Sequence, residues 1–303
     1  MKLAYVQLAL AMAFVGANVA VGKIIVEHVP IFLFSEIRFL IALLFLIPMS
    51  RMSKTTKRVP GKKSQWGILF LQAFFGVFLF SVLMLHGVQY TSATAAGIIT
   101  STVPAIIALL SFFFLKEKMS VVQAFSICLS VLGIAIITYQ APSSNTDPHS
   151  FLLGNALVFG AVISEALFTI FAKKLSDLFT PVQMAVWVNI IGFLLFMPFA
   201  IKETVNYNFM NLTFSMWLLI IYYAVTASVL SFILWYQGVT KVKANIAGIF
   251  TGFLPVTAAL AGIVILKEPF GWSQSLGILS VLGAIFFGTR VTTSNKSSRN
   301  DAA

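Results

Sequence analysis

The sequence predicts an all-α integral membrane protein, ten transmembrane helices arranged as two inverted five-helix repeats. Three observations carry that expectation. With 59% hydrophobic and 10% charged residues and a mean hydropathy of +0.97, the composition does not describe a soluble 33.1 kDa domain. The apolar sequence divides into ten segments of spanning length, and the closing stretch of each half carries one signature. Thr100, Pro104 and Leu115-Lys116-Glu117 return 151 residues later as Thr251, Pro255 and Leu266-Lys267-Glu268. Between Gly87 and Glu117, thirteen of thirty-one positions are identical at that offset, Gly, Thr, Pro, Lys and Glu among them, which duplication explains and apolar composition does not.

A hydrocarbon core of ~30 Å takes ~20 helical residues, and in lipid each backbone group must be paired within its own helix. The segments that meet this requirement in the first half are 4–22, 31–49, 66–86, 93–115 and 121–139. The first follows Lys2 yet is long enough to span, and its counterpart in the second half is internal, so a retained span is expected rather than a cleaved signal. The second starts behind Pro30 and contains Glu36 and Arg38; the third contains Gln72 and ends at His86. The fourth repeats small residues four apart (Ala93, Gly97, Ser101, Ala105), a face that lets a neighbouring helix approach closely. The fifth holds the lone Cys128, read as a small buried residue with no disulfide partner.

The second half runs 152–171, 181–200, 215–236, 244–265 and 272–288. Its first span contains Asn155 and Glu165, its second Asn189, and its third Tyr222, Tyr223, Trp235 and Tyr236, the last two read as an interfacial belt. Its fourth repeats the small face as Ala244, Gly248 and Gly252. The repeats therefore cover 1–140 and 151–290, and 291–303 reads as a disordered cytoplasmic tail. The longest connections, 50–65 and 140–150, leave no room for a soluble domain.

Five spans per repeat is an odd number, so the second copy enters from the opposite side. The basic residues agree. Lys2, the cluster Arg51, Lys54, Lys57, Arg58, Lys62 and Lys63, then Lys116, Lys118, Lys173, Lys174, Lys241, Lys243, Arg290, Lys296 and Arg299 fall on one side. Only Lys23, Lys202 and Lys267 fall on the other, and Arg38 lies within a span. By the positive-inside rule both termini are cytoplasmic, in the inner (plasma) membrane. The formal net charge of +11 is thus a topology signal rather than a nucleic-acid surface.

Inverted repeats let two near-equal halves exchange conformations and open a central site alternately to each side. Further matches at the same offset, Pro30 with Pro181, Trp66 with Trp217 and Gly87-Val88 with Gly238-Val239, extend the duplication through most of both halves. Val15-Gly16-Ala17-Asn18, Pro30 followed by Arg38, Pro104 followed by Glu117 and Pro255 followed by Glu268, in that order, resemble the drug/metabolite transporter superfamily, specifically its EamA-type members. Phe14-Val15-Gly16 departs from the Trp-Gly that this family often shows. The resemblance implies export of small metabolites, commonly amino acids or related compounds, by alternating access without ATP hydrolysis. It also implies a central cavity lined by spans 1, 3, 4, 6, 8 and 9.

Ionisable residues within spans are the main functional pointers, because a charge at the bilayer centre costs at least ~2.5 kcal/mol. Glu165, near the middle of its span and beside Ser164, is a candidate to bind a cationic or amino group or a coupling proton; the alternative is a hydrogen-bonded acid in a helix interface. Arg38 is a candidate for a substrate carboxylate, the alternative being a structural or gating ion pair. Glu36, two residues away and therefore ~200° around the helix, cannot share its face and reads as structural. Asn18, Gln72, Thr100, Thr251, Tyr222 and Tyr223 complete the expected substrate-binding set. Pro104 and Pro255 each remove one helical hydrogen bond and mark a hinge or a plain kink.

No cofactor or metal is expected, since no two His or carboxylates have metal-binding spacing on one helix. His-Glu-x-x-His, Gly-x-Gly-Asp, Gly-x-Ser-Gly and P-loop motifs are absent, so neither an intramembrane enzyme nor an ATP-driven pump is expected. The expected function is a secondary transporter exporting a small polar or amphipathic metabolite, with proton coupling as one option. A lipid or lipid-linked sugar flippase built on the same bundle is the alternative. Expected partners are the small-molecule substrate and membrane lipid.

Overall fold

Helix is the only regular structure among the described residues of the computed structural model, which are 2–52, 63–100, 102–115, 148–242 and 244–267, with single positions at 121, 125 and between 271 and 279. The expected fifth and tenth spans, Cys128 and the expected tail 291–303 lie outside them or nearly so. Helix α1 covers Lys2–Val26 and α2 Ile31–Met52. The third span is α3 (Lys63–Ala73), a π-helical turn at Phe74–Leu79, and α4 (Phe80–Tyr90). The fourth is α5 (Ala93–Thr100) and α6 (Val103–Leu115). In the second half, α7 is Pro148–Leu175 and α8 Pro181–Asn206. The eighth span is α9 (Phe214–Tyr223), a π-helical turn at Ala224–Leu230, and α10 (Ser231–Val239). The ninth is α11 (Ala244–Phe250) and α12 (Phe253–Leu266).

Six of these stretches are long and apolar enough to cross a membrane by length and composition: Leu3–Val26, Ile31–Met52, Lys63–Tyr90, His149–Leu175, Pro181–Asn206 and Phe214–Val239. Most run several residues beyond the expected ends. Thr180 and Gln183 form a capping box at the start of α8, with Pro181 in the first turn where no backbone N–H is needed. At the other end of α8, Glu203 Oε2 accepts the Leu33 N–H at 2.8 Å and so serves the unpaired first turn of α2.

The fourth and ninth spans differ from the continuous helices expected. Each is broken just before its proline, one helix ending at Thr100 and the next starting at Val103, and likewise at Thr251–Gly252. A proline lacks the N–H that would continue the ladder, so the helix restarts with Pro104 second and Pro255 third in the new segment. At the breaks, threonine hydroxyls bond back into the preceding turn: Thr100 Oγ1 donates to Gly97 O at 2.7 Å and Thr251 Oγ1 to Gly248 O at 2.6 Å, the latter carbonyl also accepting the Thr251 N–H. The broken helices pack against each other, α5 on α12 and α11 on α6. Elsewhere α1 packs on α12 and α10, α7 on α4 and α6, and α2 on α8.

Candidate functional site

Between the packed ends of the bundle lies a cavity of about 70 Å³ lined from α1, α2, the third span, α7 and the eighth span. One packed cluster beside it, on the side of the N-terminus, includes Leu8, Leu69, Leu175 and Tyr236, and another, on the opposite side, includes Ile25, Phe34 and Ile220. At about 10–15 Å³ per water it has room for a handful of waters, well short of the ~300–1,000 Å³ of a pocket that encloses a drug-sized ligand. The fourth and ninth spans, expected in its wall, contribute none of its lining, whereas the second span does. α12 packs on α1 and α6 on α7, and neither presents a residue to the cavity.

Arg38 lines this cavity from the buried face of α2, which it shares with Phe34 and Ala42, four residues to either side. It is 6% exposed. Its Nη2 donates to Ser81 Oγ at 3.0 Å, and the guanidinium carbon lies 4.2 Å from the Phe39 ring centroid and 5.5 Å from that of Tyr223. Its Nε has no partner, and no carboxylate pairs with it among the described residues, so the ion-pair reading has no support there. Glu36 is absent from the cavity wall, as the ~200° separation requires.

Glu165 enters from α7 at 6% exposure, with no hydrogen-bond or ion-pair partner among the described residues. Around it the wall is aromatic. Phe168 lies 5.9 Å from Phe232 and 5.9 Å from Tyr236, and Trp235 completes that side with an unpaired Nε1. Trp235 and Tyr236 are 2% and 0% exposed, so they are core residues and not the interfacial belt that their place in the sequence suggested. Asn18 spends both amide hydrogens, on Phe14 O and Thr226 Oγ1 at 2.8 Å each, and leaves Oδ1 unpaired.

Of the expected binding residues, Glu165, Arg38, Asn18 and Tyr223 therefore meet in one cavity. Gln72 stands behind the wall, donating to Tyr236 Oη at 3.0 Å. Tyr222 is 44% exposed on the outer face of the eighth span. Thr100 and Thr251 are buried at the helix breaks, away from the cavity. Ser81, which holds Arg38, was not among the expected residues. Its signal was a single hydroxyl in the apolar run Phe74–Leu85. Among the described residues no three His, Cys, Asp or Glu side chains gather as a metal site.

The wall contains a built-in test. A Cβ on Gly76 would overlap the Phe168 ring and also the Phe168 Cβ, which no rotation of the ring can move, so the third span and α7 would have to part slightly. Gly76→Ala is expected to cost about 3 kcal/mol of stability and to displace Phe168 in the cavity wall, giving a reduced yield of folded protein that transports poorly. Normal transport in a folded Gly76→Ala variant would show that the Phe168 wall does not bound the working site.

The sequence model of the EamA-like transporter family matches residues 2–139 and again 152–290. The chain belongs to the EamA-like transporter family. Among its relatives, the protein of Bacillus subtilis named uncharacterized transporter YetK is 47% identical over 93% of this chain and 86% of its own. An Archaeoglobus fulgidus protein, also named an uncharacterized transporter, is 26% identical over 94% and 98%. A solved crystal structure 14% identical superposes with a TM-score of 0.68 over 94% of this chain and 96% of that one, which bears on the fold alone. This EamA-family chain is a multi-pass membrane transporter and not an enzyme.

Proposed function

We propose that the chain exports a small polar or amphipathic metabolite, an amino acid or related compound, by alternating access through the cavity between Arg38 and Glu165. One observation carries the reading: a buried cation and a buried carboxyl line one cavity, and neither has an ion-pair partner among the described residues. Charges are placed in a membrane interior at a cost, and two of opposite sign facing one space match a substrate bearing both signs. In this reading Arg38 takes a carboxylate in forked hydrogen bonds, while Glu165 takes an amino group or a coupling proton. Asn18 Oδ1 and Trp235 Nε1 offer one further acceptor and donor.

The halves 1–140 and 151–290 act as inverted repeats, with both termini cytoplasmic in the inner membrane and 291–303 as a tail. Support comes from the family model matching twice and from the π-helical turns, whose last residues, Leu79 and Leu230, are 151 positions apart. The breaks before Pro104 and Pro255 are the hinges. Because 70 Å³ encloses no metabolite, movement at these joints has to enlarge the cavity before substrate enters.

Reconstituted protein should show saturable counterflow of the substrate, which a passive channel does not. Losing a hydrogen bond to a charged group costs ~1.5–3 kcal/mol, so Glu165→Gln should weaken substrate binding about 10- to 100-fold. If Glu165 also carries the proton, the variant's exchange becomes independent of pH. Unchanged rate and pH dependence would remove Glu165 from the mechanism. Movement of headgroup-labelled lipid with no metabolite exchange would favour a flippase.

A further inference from the structure

A second, larger cleft of about 520 Å³ opens where α2 begins and α8 ends. Its floor is apolar: the Phe32 and Phe199 rings stack at 4.9 Å, flanked by Pro198. Its rim is polar and carries Lys202, Asn206 and Tyr207. The rim carries one charge of each sign, Lys202 and Glu203, and the two are held differently. Glu203 turns its Oε2 to the Leu33 N–H, while Lys202 is exposed with no hydrogen-bond or ion-pair partner among the described residues. Asn206 uses one amide hydrogen on Lys202 O and has a second to give. Tyr207 ties its hydroxyl to His28 O at 3.0 Å and is fixed in place.

From these observations we infer that the cleft binds an anionic glycerophospholipid, with its phosphate on Lys202 and Asn206 and the upper part of an acyl chain over Phe32 and Phe199. The position fits a lipid and not a soluble anion. Lys202 and Phe32 lie at the ends of two spans, where hydrocarbon gives way to headgroups, and an ammonium on a long stem at that level lies within reach of a phosphate. Further along the same two helices, Leu194 on α8 and Leu40 and Leu44 on α2 are exposed and apolar. The site is separate from the Arg38–Glu165 cavity and shares no lining residue with it.

The test is a thermal-shift and native mass-spectrometry titration of the purified full chain in detergent. Phosphatidylglycerol, phosphatidylcholine and water-soluble glycerol phosphate are each added to the wild type, Lys202→Gln and Phe199→Ala. A lysine near the membrane surface is worth about 1 kcal/mol toward an anionic lipid, so Lys202→Gln is expected to weaken phosphatidylglycerol binding about fivefold. Phosphatidylcholine should bind the wild type more weakly and Lys202→Gln no worse. Phe199→Ala should weaken both lipids, and glycerol phosphate should give no shift. Because Lys202 is exposed, its variant should fold. Equal response to both lipids, phosphatidylglycerol binding that survives Lys202→Gln, a response to glycerol phosphate alone, or a dimer that Phe199→Ala dissociates would each overturn the assignment.

Discussion

Replacing Arg38 by methionine is expected to abolish transport while raising the melting temperature of the protein. The second half of that result separates a functional charge from a structural one. A cation taken out of water costs several kcal/mol after relaxation. Arg38 recovers part of this from the Ser81 hydroxyl and from the faces of Phe39 and Tyr223, but no carboxylate partner among the described residues returns the rest. Methionine has a similar unbranched stem, brings no charge, and packs on the same two rings. The gain should be about 1–2 kcal/mol, at the low end of what replacing buried ionic groups yields, and visible as a shift of a few degrees. Loss of the forked donor should weaken binding of a carboxylate substrate at least ~10-fold, since charge-assisted hydrogen bonds are worth ~1.5–3 kcal/mol. Arg38→Lys keeps the charge without the fork and should fall between. A methionine variant that melts below the wild type would mean that Arg38 holds the bundle together; one that transports normally would put the substrate elsewhere.

What could be seen from the sequence alone depended on what kind of signal each feature leaves there. Span positions were legible because lipid imposes a length and a composition on every helix. Arg38 and Glu165 stood out for the same reason: charges are rare where charge is costly. That both face one cavity was not legible, since it depends on how α2 and α7 are rotated in the bundle, and the apolar residues around them do not distinguish inward from lipid-facing sides. Trp235 shows the limit. Near the end of a span an indole usually marks the membrane surface, and only the packing of the eighth span against α1 turns this one inward. The π-helical turns also leave no composition signal. One extra residue in a turn frees a carbonyl, and side chains take it up: Ser231 Oγ donates to Thr226 O at 2.8 Å, and Asn189 Nδ2 lies 3.3 Å from Ser228 O. Ala227 and Ser228 in this turn, and Gly76 and Val77 in its counterpart, line the cavity, so a shift of either turn back to α-helix would rotate wall residues.

Gly16→Ala is expected to prevent the bundle from assembling, an effect of different origin from that of Gly76→Ala. A Cβ on Gly16 would overlap Leu254 O and Thr257 Oγ1 in α12. Unlike the ring opposite Gly76, the first of these is backbone. Leu254 sits in the first turn after the break at Thr251–Gly252, one residue before Pro255, where the helix has no slack to move away. In lipid, helices associate through close packing instead of a hydrophobic drive, so separating α1 from α12 removes much of what joins the start of the chain to the ninth span. The cost should be about 3 kcal/mol or more, at the upper end for overpacking, and should appear as loss of monodisperse protein in detergent. A double variant identifies the cause. Thr257→Ala relieves the hydroxyl contact but leaves the carbonyl, so it should restore Gly16→Ala only in part. Full rescue would locate the clash at the Thr257 side chain and leave the backbone contact at Leu254 with no role in setting the distance between the two helices.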